Sequence, residues 1–528
     1  MKNRLLLLTL FFGLSVTICW SQAPSIEWQK CLGGSYFEED TNIIQTSDGG
    51  YIFVGFTISY DGDVIGNHGN SDIWVVKLTN NGTIQWQKCL GGDNDDSYSN
   101  IIQTSDGGYI IAGSTSSNDG DVSGNHGIYD IWVVKLTNNG TIQWQKCLGG
   151  SNSDMNPNIS QTSDGGYILS GNTNSFNGDV IGLHGNSNDI WVVKLTNNGV
   201  IQWQKCLGGS NVEVTDSKIS QTSDGGFIFA GHTTSNDGDV SGNHGEGDIW
   251  VVKLSNSGNI QWQKCIGGFG NDRGPEISLT SDGGYILVAS TNTMWNNGDV
   301  IGNHGGGDIW VVKLNNTGII QWQKCLGGSG DEGYGQDISQ TADGGYILAG
   351  STTSNDGDVI GNHLWGDFWV VKLSNTGTIQ WQKYLGGSEE EFLTPKISQT
   401  SDGGFIFAGH TTSNDGDVSG NHGDEDIWIV KLSPEFLSST SFLENSISIS
   451  PNPANTQVNI SFNNITDLMG GNINIVNSLG QKVATTPISL SGTNSTMLIN
   501  TWGGTGLYFV QILNAQGIVV DVKKIILH

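Results

Sequence analysis

Pairs of aspartates separated by one glycine recur along this 528-residue chain, and their side chains have the clearest capacity for chemistry. They lie in loops of the pattern DGDVxGNHG, in which the first aspartate is sometimes an asparagine. Oxygen ligands placed around a glycine bend suit Ca²⁺, so one hypothesis is a calcium site in these loops. The alternative is an Asx-type turn, in which the same oxygens accept hydrogen bonds from backbone N–H groups. The aspartates concerned are Asp61, Asp63, Asp119, Asp121, Asp237, Asp239, Asp356, Asp358, Asp415 and Asp417.

Each of these loops also contains one histidine, but no enzymatic motif accompanies it. The sequence has no nucleophile elbow, no HExxH and no phosphate-binding loop. Identical polar residues repeated around a structure also suit a single active site poorly. A polysaccharide-active extracellular enzyme remains one alternative, and the acidic residues available to it include Asp95, Asp96, Glu389, Glu390 and Glu391.

Aromatic residues form a further set of candidates, because they lie where otherwise near-identical repeats differ. One variable stretch follows each LGG motif, and another adjoins each HG dipeptide. Surface loops on a rigid scaffold commonly carry binding functions, so these aromatics predict a ligand-binding face. Neutral drift in exposed loops is the alternative. The candidates are Tyr98, Tyr129, Trp295, Tyr334, Trp365 and Phe392.

The repeat that positions these residues has a fixed period. The motif WQK begins at Trp28, Trp86, Trp144, Trp203, Trp262, Trp322 and Trp381, at spacings of 58 to 60 residues. A second motif, D(I/F)W(V/I)VKL, recurs with the same period, and Trp74 is its first tryptophan. A period of this size indicates stacked or radially arranged supersecondary units.

One unit is predicted to contain four short strands. In the second unit these are Asn100 to Thr104, Tyr109 to Thr115, Asp130 to Leu136 and Thr141 to Leu148. The turns SDGG and NNG supply residues that tolerate positive φ in tight hairpins. The second and third strands are apolar on both faces, whereas the fourth alternates and therefore suits the outer edge. Each unit thus predicts a four-stranded antiparallel sheet.

The ends of the repeat array indicate that it closes into a ring. The last unit stops at Asp426 to Leu432 without a WQK strand, and an orphan WQK strand, Ser25 to Leu32, precedes the first unit. Pairing these two strands completes the seventh sheet and leaves no blade edge open. The fold class predicted is all-β: a seven-bladed β-propeller followed by a small C-terminal β-sandwich.

The cysteines of the repeats are predicted to be free thiols. Cys31, Cys89, Cys147, Cys206, Cys265 and Cys325 occupy equivalent outer-strand positions, and Tyr384 replaces the seventh. Equivalent positions in neighbouring blades are too far apart for a disulfide, which needs Cα atoms within about 7 Å. We therefore expect these side chains to pack between blades as small apolar groups.

Residues 1–22 have the layout of a signal peptide, with Lys2 and Arg4 before an apolar run. No later stretch is apolar for long enough to cross a bilayer. The formal charge of −29 makes nucleic acid an unfavourable partner. These features predict an exported protein without a transmembrane segment in its mature form.

Two resemblances extend this interpretation. The pattern D-x-W-V-V-K-L…G-x-I-Q-W-Q-K-x-L-G-G-S…D-G-G-Y-I-x-x-G-x-T is similar to the bacterial seven-bladed propeller repeat known as SBBP, although the DGDVxGNHG loop departs from it. That family implies no enzymatic activity. The tail, with Ser450-Pro451-Asn452-Pro453, Leu479-Gly480, Gly506-Leu507-Tyr508 and Lys523-Lys524, resembles a type A sorting domain of type IX secretion in Bacteroidetes-type bacteria. This resemblance implies recognition by the type IX machinery, passage across the outer membrane, and release or attachment at the cell surface.

The domain boundaries expected are a signal peptide at 1–22, a propeller at 23–432, a linker at 433–445 and a sorting domain at 446–528. The function expected is a non-catalytic binding or adhesion scaffold that recognises a glycan or a surface protein. A polysaccharide-active enzyme and a structural surface-layer protein are the alternatives. Ca²⁺ is the only cofactor that the residues suggest.

Overall fold

A computed structural model describes two separate parts of the chain. The first covers residues 23–435, except 216, 295, 334, 362–365 and 392–394. The second covers 447–454, 456–462, 471–477, 481–488, 494–498, 502, 504–513 and 519–527. The described residues form two compact units, and the boundary between them in the chain lies at Pro434.

Four-stranded antiparallel sheets, seven in number, make up the first unit, and each sheet is one blade. The strands are β1 (Ile26–Leu32); in blade 1, β2 (Glu38–Gln45), β3 (Tyr51–Thr57), β4 (Asp72–Leu78) and β5 (Ile84–Leu90); in blade 2, β6 (Asp96–Gln103), β7 (Tyr109–Thr115), β8 (Asp130–Leu136) and β9 (Ile142–Leu148); and in blade 3, β10 (Asp154–Gln161), β11 (Tyr167–Thr173), β12 (Asp189–Leu195) and β13 (Ile201–Leu207).

Blades 4 to 7 follow the same plan. They contain, in blade 4, β14 (Glu213–Val214), β15 (Ser220–Gln221), β16 (Phe227–Thr233), β17 (Asp248–Leu254) and β18 (Ile260–Ile266); in blade 5, β19 (Asp272–Leu279), β20 (Tyr285–Thr291), β21 (Asp308–Leu314) and β22 (Ile320–Leu326); in blade 6, β23 (Asp337–Gln340), β24 (Tyr346–Thr352), β25 (Asp367–Leu373) and β26 (Ile379–Leu385); and in blade 7, β27 (Lys396–Gln399), β28 (Phe405–Thr411) and β29 (Asp426–Leu432). In blade 4 the short strands β14 and β15 both pair with β16 and together form the first strand.

The ring closes as the sequence predicts. Strand β1 pairs antiparallel with β29, from Ile26 opposite Leu432 to Leu32 opposite Ile427. The indole Nε1 of Trp428 donates to Gln29 Oε1 at 2.9 Å across this pair. The first strand of blade 7, β27, in turn contacts β2 of blade 1. The unit is therefore a seven-bladed β-propeller whose last blade takes one strand from each end.

The apolar core lies within and between the blades. The second and third strands of each blade are almost wholly buried, and Trp74 and its six equivalents are 0% exposed. Each outer-strand tryptophan packs against an aromatic ring of the following blade, as Trp28 does with Tyr51 at a centroid distance of 5.8 Å. The six repeat cysteines are free and buried, and burial raises the pKa of the Cys89 thiol to about 12. The prediction of packed, unpaired thiols is confirmed.

The constant turns hold each hairpin in register. Gly49, in the first SDGG turn, has a φ of 83°, and Gly82, in the first NNG-type turn, has a φ of 77°, which is why these turns need glycine. The buried Lys77 forms an ion pair of 3.0 Å with the turn residue Asp48. The same pairing recurs in the other blades, for example between Lys135 and Asp106.

The innermost strands differ from the prediction. In blade 2 the strand begins at Asp96 rather than at Asn100, because pairing with β7 continues past a bulge between Ser97 and Asn100. Tyr98, inside this bulge, has a φ of 48°. A positive φ is rare for tyrosine, so the sequence pattern did not indicate that the strand continues.

The second unit is a small β-domain. Its strands are β30 (Ile447–Ser450), β31 (Gln457–Phe462), β32 (Asn472–Asn477), β33 (Lys482–Pro487), β34 (Asn494–Leu498), β35 (Gly506–Leu513) and β36 (Val519–Leu527). They form one sheet in the order β30-β31-β34 and another in the order β33-β32-β35-β36. Val458, Ile475, Trp502 and Val510 belong to the core of this domain. In the described part of the chain, no helix has the length and apolarity needed to cross a membrane.

Candidate ligand-binding site

The two variable stretches of the repeat meet on one face of the propeller. At four blade boundaries a residue beside the HG dipeptide forms a bridge with a residue that follows LGG in the next blade, as Tyr129 does with Ser153. The backbone N–H of Asp154 also donates to the carbonyl of Tyr129 at 2.8 Å. These contacts join neighbouring blades, so described residues that differ from blade to blade lie side by side along a rim of the propeller.

The aspartate pairs of the loops make the contacts of a turn. Asp61 Oδ1 accepts a hydrogen bond of 2.8 Å from the backbone N–H of Ser35, and Asp61 Oδ2 accepts one of 2.6 Å from its hydroxyl. The backbone N–H of Asp63 donates to the carbonyl of Gly33 at 2.8 Å. Equivalent acceptors elsewhere are Asp119, Asp237, Asp356 and Asp415.

These contacts favour the Asx-type turn. The described residues contain no group of three or more His, Cys, Asp or Glu side chains arranged to hold a metal ion. The second aspartates, such as Asp63, are only partly exposed, and Asp63 Oδ2 lies 3.9 Å from His422 Nε2 of blade 7. Calcium binding by these loops stays a prediction.

The innermost strands bring other side chains together around the propeller axis. Bulges in β2, β6, β10 and β19 fall in the LGG-proximal variable stretch, and Asp40 and Asn156 share the positive φ of Tyr98. A cavity of about 370 Å³ lies there. Its lining residues are Asp40, Thr41, Asn42, Tyr98, Ser99, Asn100, Asn156, Asn158, Gly274, Pro275, Glu276, Gly335, Gln336 and Lys396. We call this space the axial cavity.

The lining of the axial cavity is asymmetric in charge. One register position, immediately before the buried isoleucine of each innermost strand, is occupied by Asn42, Asn100, Asn158, Lys218, Glu276, Asp337 and Lys396 in blades 1 to 7. Burial raises the pKa of Glu276 to about 7, and the charge of Lys396 opposes this shift. Glu276 Oε2 also accepts a hydrogen bond of 3.4 Å from the backbone N–H of Lys218. This register position therefore carries an amide in blades 1 to 3 and a charged side chain, of either sign, in blades 4 to 7.

Two of the six aromatic residues predicted for the ligand-binding face lie within the described part of the chain. Tyr98 lines the axial cavity and is 46% exposed. Tyr129 lies on the outer rim, with its hydroxyl 3.4 Å from Asp95 Oδ2, and burial raises its pKa. Trp295, Tyr334, Trp365 and Phe392 fall outside the described residues.

The repeat pattern does not predict the remaining polar residues of the axial cavity. Thr41 and Ser99 lie in strands that begin earlier than the pattern indicates, and Gln336 directly precedes β23, so all three read as loop residues. A signal was nevertheless present: the residue before the recurrent isoleucine changes from Asn to Lys, Glu or Asp, while the strand after it stays nearly constant.

Two of the five acidic residues considered above as catalytic candidates have structural contacts instead. Asp96 and Glu391 are 0% exposed, at equivalent positions in their blades. Asp96 Oδ2 accepts hydrogen bonds from the Gly92 N–H and the Ser117 hydroxyl, and Glu391 accepts from Gly387 N–H and Thr411. These carboxylates cap the Gly-Gly corner between blades.

The loop histidines within the described residues are also accounted for by local contacts. His126 Nδ1 lies 2.6 Å from Asp130 Oδ2, and the His126 N–H donates to the same oxygen at 3.0 Å. Asp130 is 0% exposed and begins the central strand β8. The pair thus fixes the end of the long loop against the sheet.

Comparison with protein families identifies the tail. Residues 448–528 match the model of the "Secretion system C-terminal sorting domain". This domain marks proteins that the type IX system carries to the cell surface or the extracellular space. The predicted localisation and the expected interaction with the type IX machinery are confirmed at that level. No curated protein sequence matches the chain significantly.

The solved structures that match this chain have low sequence identity to it. A protein of unknown function from Dyadobacter fermentans is 10% identical over 78% of this chain and 99% of its own, with a TM-score of 0.40. PorZ of Porphyromonas gingivalis, a surface component of the type IX secretion system, is 11% identical over 94% and 59%, with a TM-score of 0.37. The NanB sialidase of Streptococcus pneumoniae is 13% identical over 79% and 71%, with a TM-score of 0.38.

Likeness at these values carries no argument about function, and the sheets themselves establish the fold. The closed ring of blades and the matched tail together place the chain: it is a seven-bladed β-propeller protein with a type IX secretion C-terminal sorting domain, exported to the cell surface or beyond.

Proposed function

We propose that this protein is a non-catalytic binding scaffold outside the cell, and that it contacts its glycan or surface-protein ligand through the face that carries the variable loops. One observation supports the proposal above all. The contacts that build each blade are repeated almost unchanged, whereas the residues that differ between blades lie on one rim and around the axial cavity. A rigid scaffold with a variable face is a common design for recognition.

The position of Tyr129 supports the same conclusion. Its ring lies on the rim beside Asp95, whereas the equivalent place in blade 4 is Gly247. Each blade boundary therefore presents a different surface on an otherwise repeated backbone. Tyrosine suits binding surfaces because it offers a large amphipathic area at little cost in conformational entropy.

The test is a binding screen with matched surface variants. The purified protein is exposed to a glycan array and to surface-protein extracts of related bacteria, with Ca²⁺ present and after chelation. We expect at least one ligand to be retained, and Tyr129→Ala to weaken it by about tenfold, as for an interface anchor. Val200→Ala is the matched control, because Val200 is 53% exposed beside a constant turn at the opposite end of its sheet.

Two results would count against the proposal. One is that no ligand is retained from either screen with or without Ca²⁺. The other is that Val200→Ala weakens binding as much as Tyr129→Ala, which would place the ligand on the constant face.

A further inference from the structure

Several residues that line the axial cavity have buried polar groups without partners. Thr41 Oγ1, Ser99 Oγ and both side-chain atoms of Gln336 make no hydrogen bond among the described residues. These side chains are only 2%, 9% and 5% exposed, respectively, and all three line the cavity. An unpaired buried hydroxyl or amide destabilises a fold, so such groups are rare and call for a reason.

Some hydroxyl groups elsewhere on or beside the innermost strands find partners, whereas Ser217 Oγ and Ser339 Oγ do not. Ser160 Oγ donates to the carbonyl of Ile219 at 2.7 Å, and Thr215 Oγ1 donates to the carbonyl of Ala230 at 2.7 Å. Unpaired hydroxyls are therefore not a general consequence of this strand geometry. Thr41, Ser99 and Gln336 come from blades 1, 2 and 6, and all three line one common space.

The charge around this space favours a neutral ligand. Glu276 and Lys396 carry opposite charges and influence each other directly, and Asp40 adds a carboxylate rather than a cation. The whole chain carries a formal charge of −29, which disfavours anions further. The unpaired groups are themselves neutral, and each hydroxyl or amide can donate and accept hydrogen bonds.

The ring of Tyr98 supplies an apolar surface beside these polar groups. Its backbone φ of 48° lies in a region that tyrosine rarely adopts. Strained residues of this kind cluster at ligand sites, where the surrounding structure holds the side chain in place. The cavity, about 370 Å³, lies at the small end of the range for ligand pockets, roughly 300–1,000 Å³.

We propose that the axial cavity binds one neutral sugar residue of a carbohydrate. The hydroxyl groups of the sugar pair with Thr41, Ser99 and Gln336, and the C–H face of its ring packs against Tyr98. This inference rests on the proposed binding function and names the chemical class of ligand at the centre of the variable face.

Calorimetric titration tests the inference with defined probes. The methyl glycosides of glucose, galactose, mannose and N-acetylglucosamine are titrated singly into the purified protein, alongside short oligosaccharides that end in each sugar. Tetrahydropyran-2-methanol, which keeps the ring but has a single hydroxyl, and glutamate, which is charged, serve as control ligands. We expect at least one neutral glycoside to bind and both control ligands to fail, because a site built for hydroxyl groups rejects analogues that lack them.

Variants of nearly the same shape test the individual groups. Thr41→Val should weaken the sugar by roughly tenfold, and Gln336→Leu should weaken it more because two polar atoms are lost. Both variants should melt at the same temperature as the parent or slightly higher, since each removes an unpaired buried group. Ser160→Ala is the matched control: its hydroxyl is already used by Ile219, so the melting temperature should fall while sugar affinity stays unchanged.

The inference is wrong if no neutral glycoside binds at millimolar concentration, or if Thr41→Val and Gln336→Leu both leave the affinity unchanged. Preferential binding of glutamate or another charged probe would also overturn it. Retention of a macromolecular ligand that depends on Tyr129 but not on these two variants would refute the sugar site and leave the proposed function standing. Loss of all binding would refute both.

Discussion

A buried carboxylate pair lies at each boundary between blades. Asp72 begins the central strand of blade 1, and Asp96 caps the Gly-Gly corner that leads into blade 2. A Cβ added at Gly91 would lie 2.5 Å from Asp72 Oδ1 and 2.6 Å from Asp96 Oδ2, so only glycine fits between these oxygens. Asp72 Oδ1 has no hydrogen-bond partner among the described residues. Burial raises the pKa of Asp96 to about 6, and the charge of Asp72 adds to the shift.

Replacing one member of this pair by its amide should therefore stabilise the propeller. In Asp72→Asn the amide oxygen keeps the hydrogen bonds from His68 to Oδ2, and the new N–H group faces Asp96. At pH 8 we expect a gain of about 1 kcal/mol, or roughly 1–2 °C in melting temperature for a unit of this size. At pH 5 the gain should shrink, because the carboxyl pair is then partly protonated. Differential scanning calorimetry at both pH values measures the effect.

Asp106→Asn is the matched control for this substitution. Asp106 lies in a constant turn, and the hydrogen bonds from Thr104 and Gly108 and the ion pair with Lys135 lower its pKa. Loss of that charge should leave stability at pH 8 unchanged or slightly lower. If Asp72→Asn lowered stability at pH 8 as much as Asp106→Asn does, the carboxylates of Asp72 and Asp96 would not repel each other.

At the scale of the strand, closure of the ring depends on β1. Six residues of this strand have partners on β29, and Cys31 and Leu32 are buried by the pairing. Without β1 the backbone of β29 would become an exposed edge, which is a template for pairing with another chain. The Trp428 indole would also lose its acceptor, Gln29.

Deletion of residues 25–32 should open the propeller at blade 7. We expect a loss of about 5 kcal/mol or more, from several ladder hydrogen bonds and the buried side chains, together with self-association through β29. Calorimetry and light scattering report the two effects, and a synthetic peptide of residues 25–34 should reverse both. Glu27→Ala is the control, since it removes one exposed partner of Lys431 and leaves the ion pair of Lys431 with Asp402 in place. Unchanged melting of the deletion variant would contradict closure by β1.

For the whole molecule, the many buried carboxylates predict greater stability in mild acid. Burial raises the pKa of Asp308 to about 6 and also raises that of Asp72, Asp130 and Asp426. A pKa raised on folding contributes stability that is present below the unfolded value, near 3.8, and is lost as the pH rises through 6. The pKa of His422 is also raised by its hydrogen bond to Asp426, although burial opposes this shift.

The turn aspartates act in the opposite direction at lower pH. The hydrogen bond from Thr162, with help from Lys194, lowers the pKa of Asp164 to about 2. Its contribution is present above the unfolded value and is lost as the pH falls from about 4 to 2. We therefore expect the melting temperature of the propeller to rise from pH 8 to pH 5 and to fall below pH 4. A profile that rises steadily from pH 5 to pH 8 would contradict this account.

The sequence by itself determined the all-β class, the seven repeats, the closing strand and the sorting tail. Strand alternation, glycine turns and the motifs of the tail are local patterns, so the sequence shows them directly. Counting the two repeat motifs along the chain also shows that the last unit lacks a strand and that an unpaired strand precedes the first unit. The packing of the cysteines followed from the same repeat geometry.

Only the tertiary structure decided what lies at the axis. Thr41, Ser99 and Gln336 come from different blades, and bulges with positive φ at Asp40, Tyr98 and Asn156 extend the innermost strands of blades 1 to 3. No local pattern encodes that convergence, because it depends on the summed rotation of seven sheets about one axis. The pairing of Asp72 with Asp96 is hidden for a related reason: it joins residues of two blades across a glycine that the sequence shows only as part of a turn.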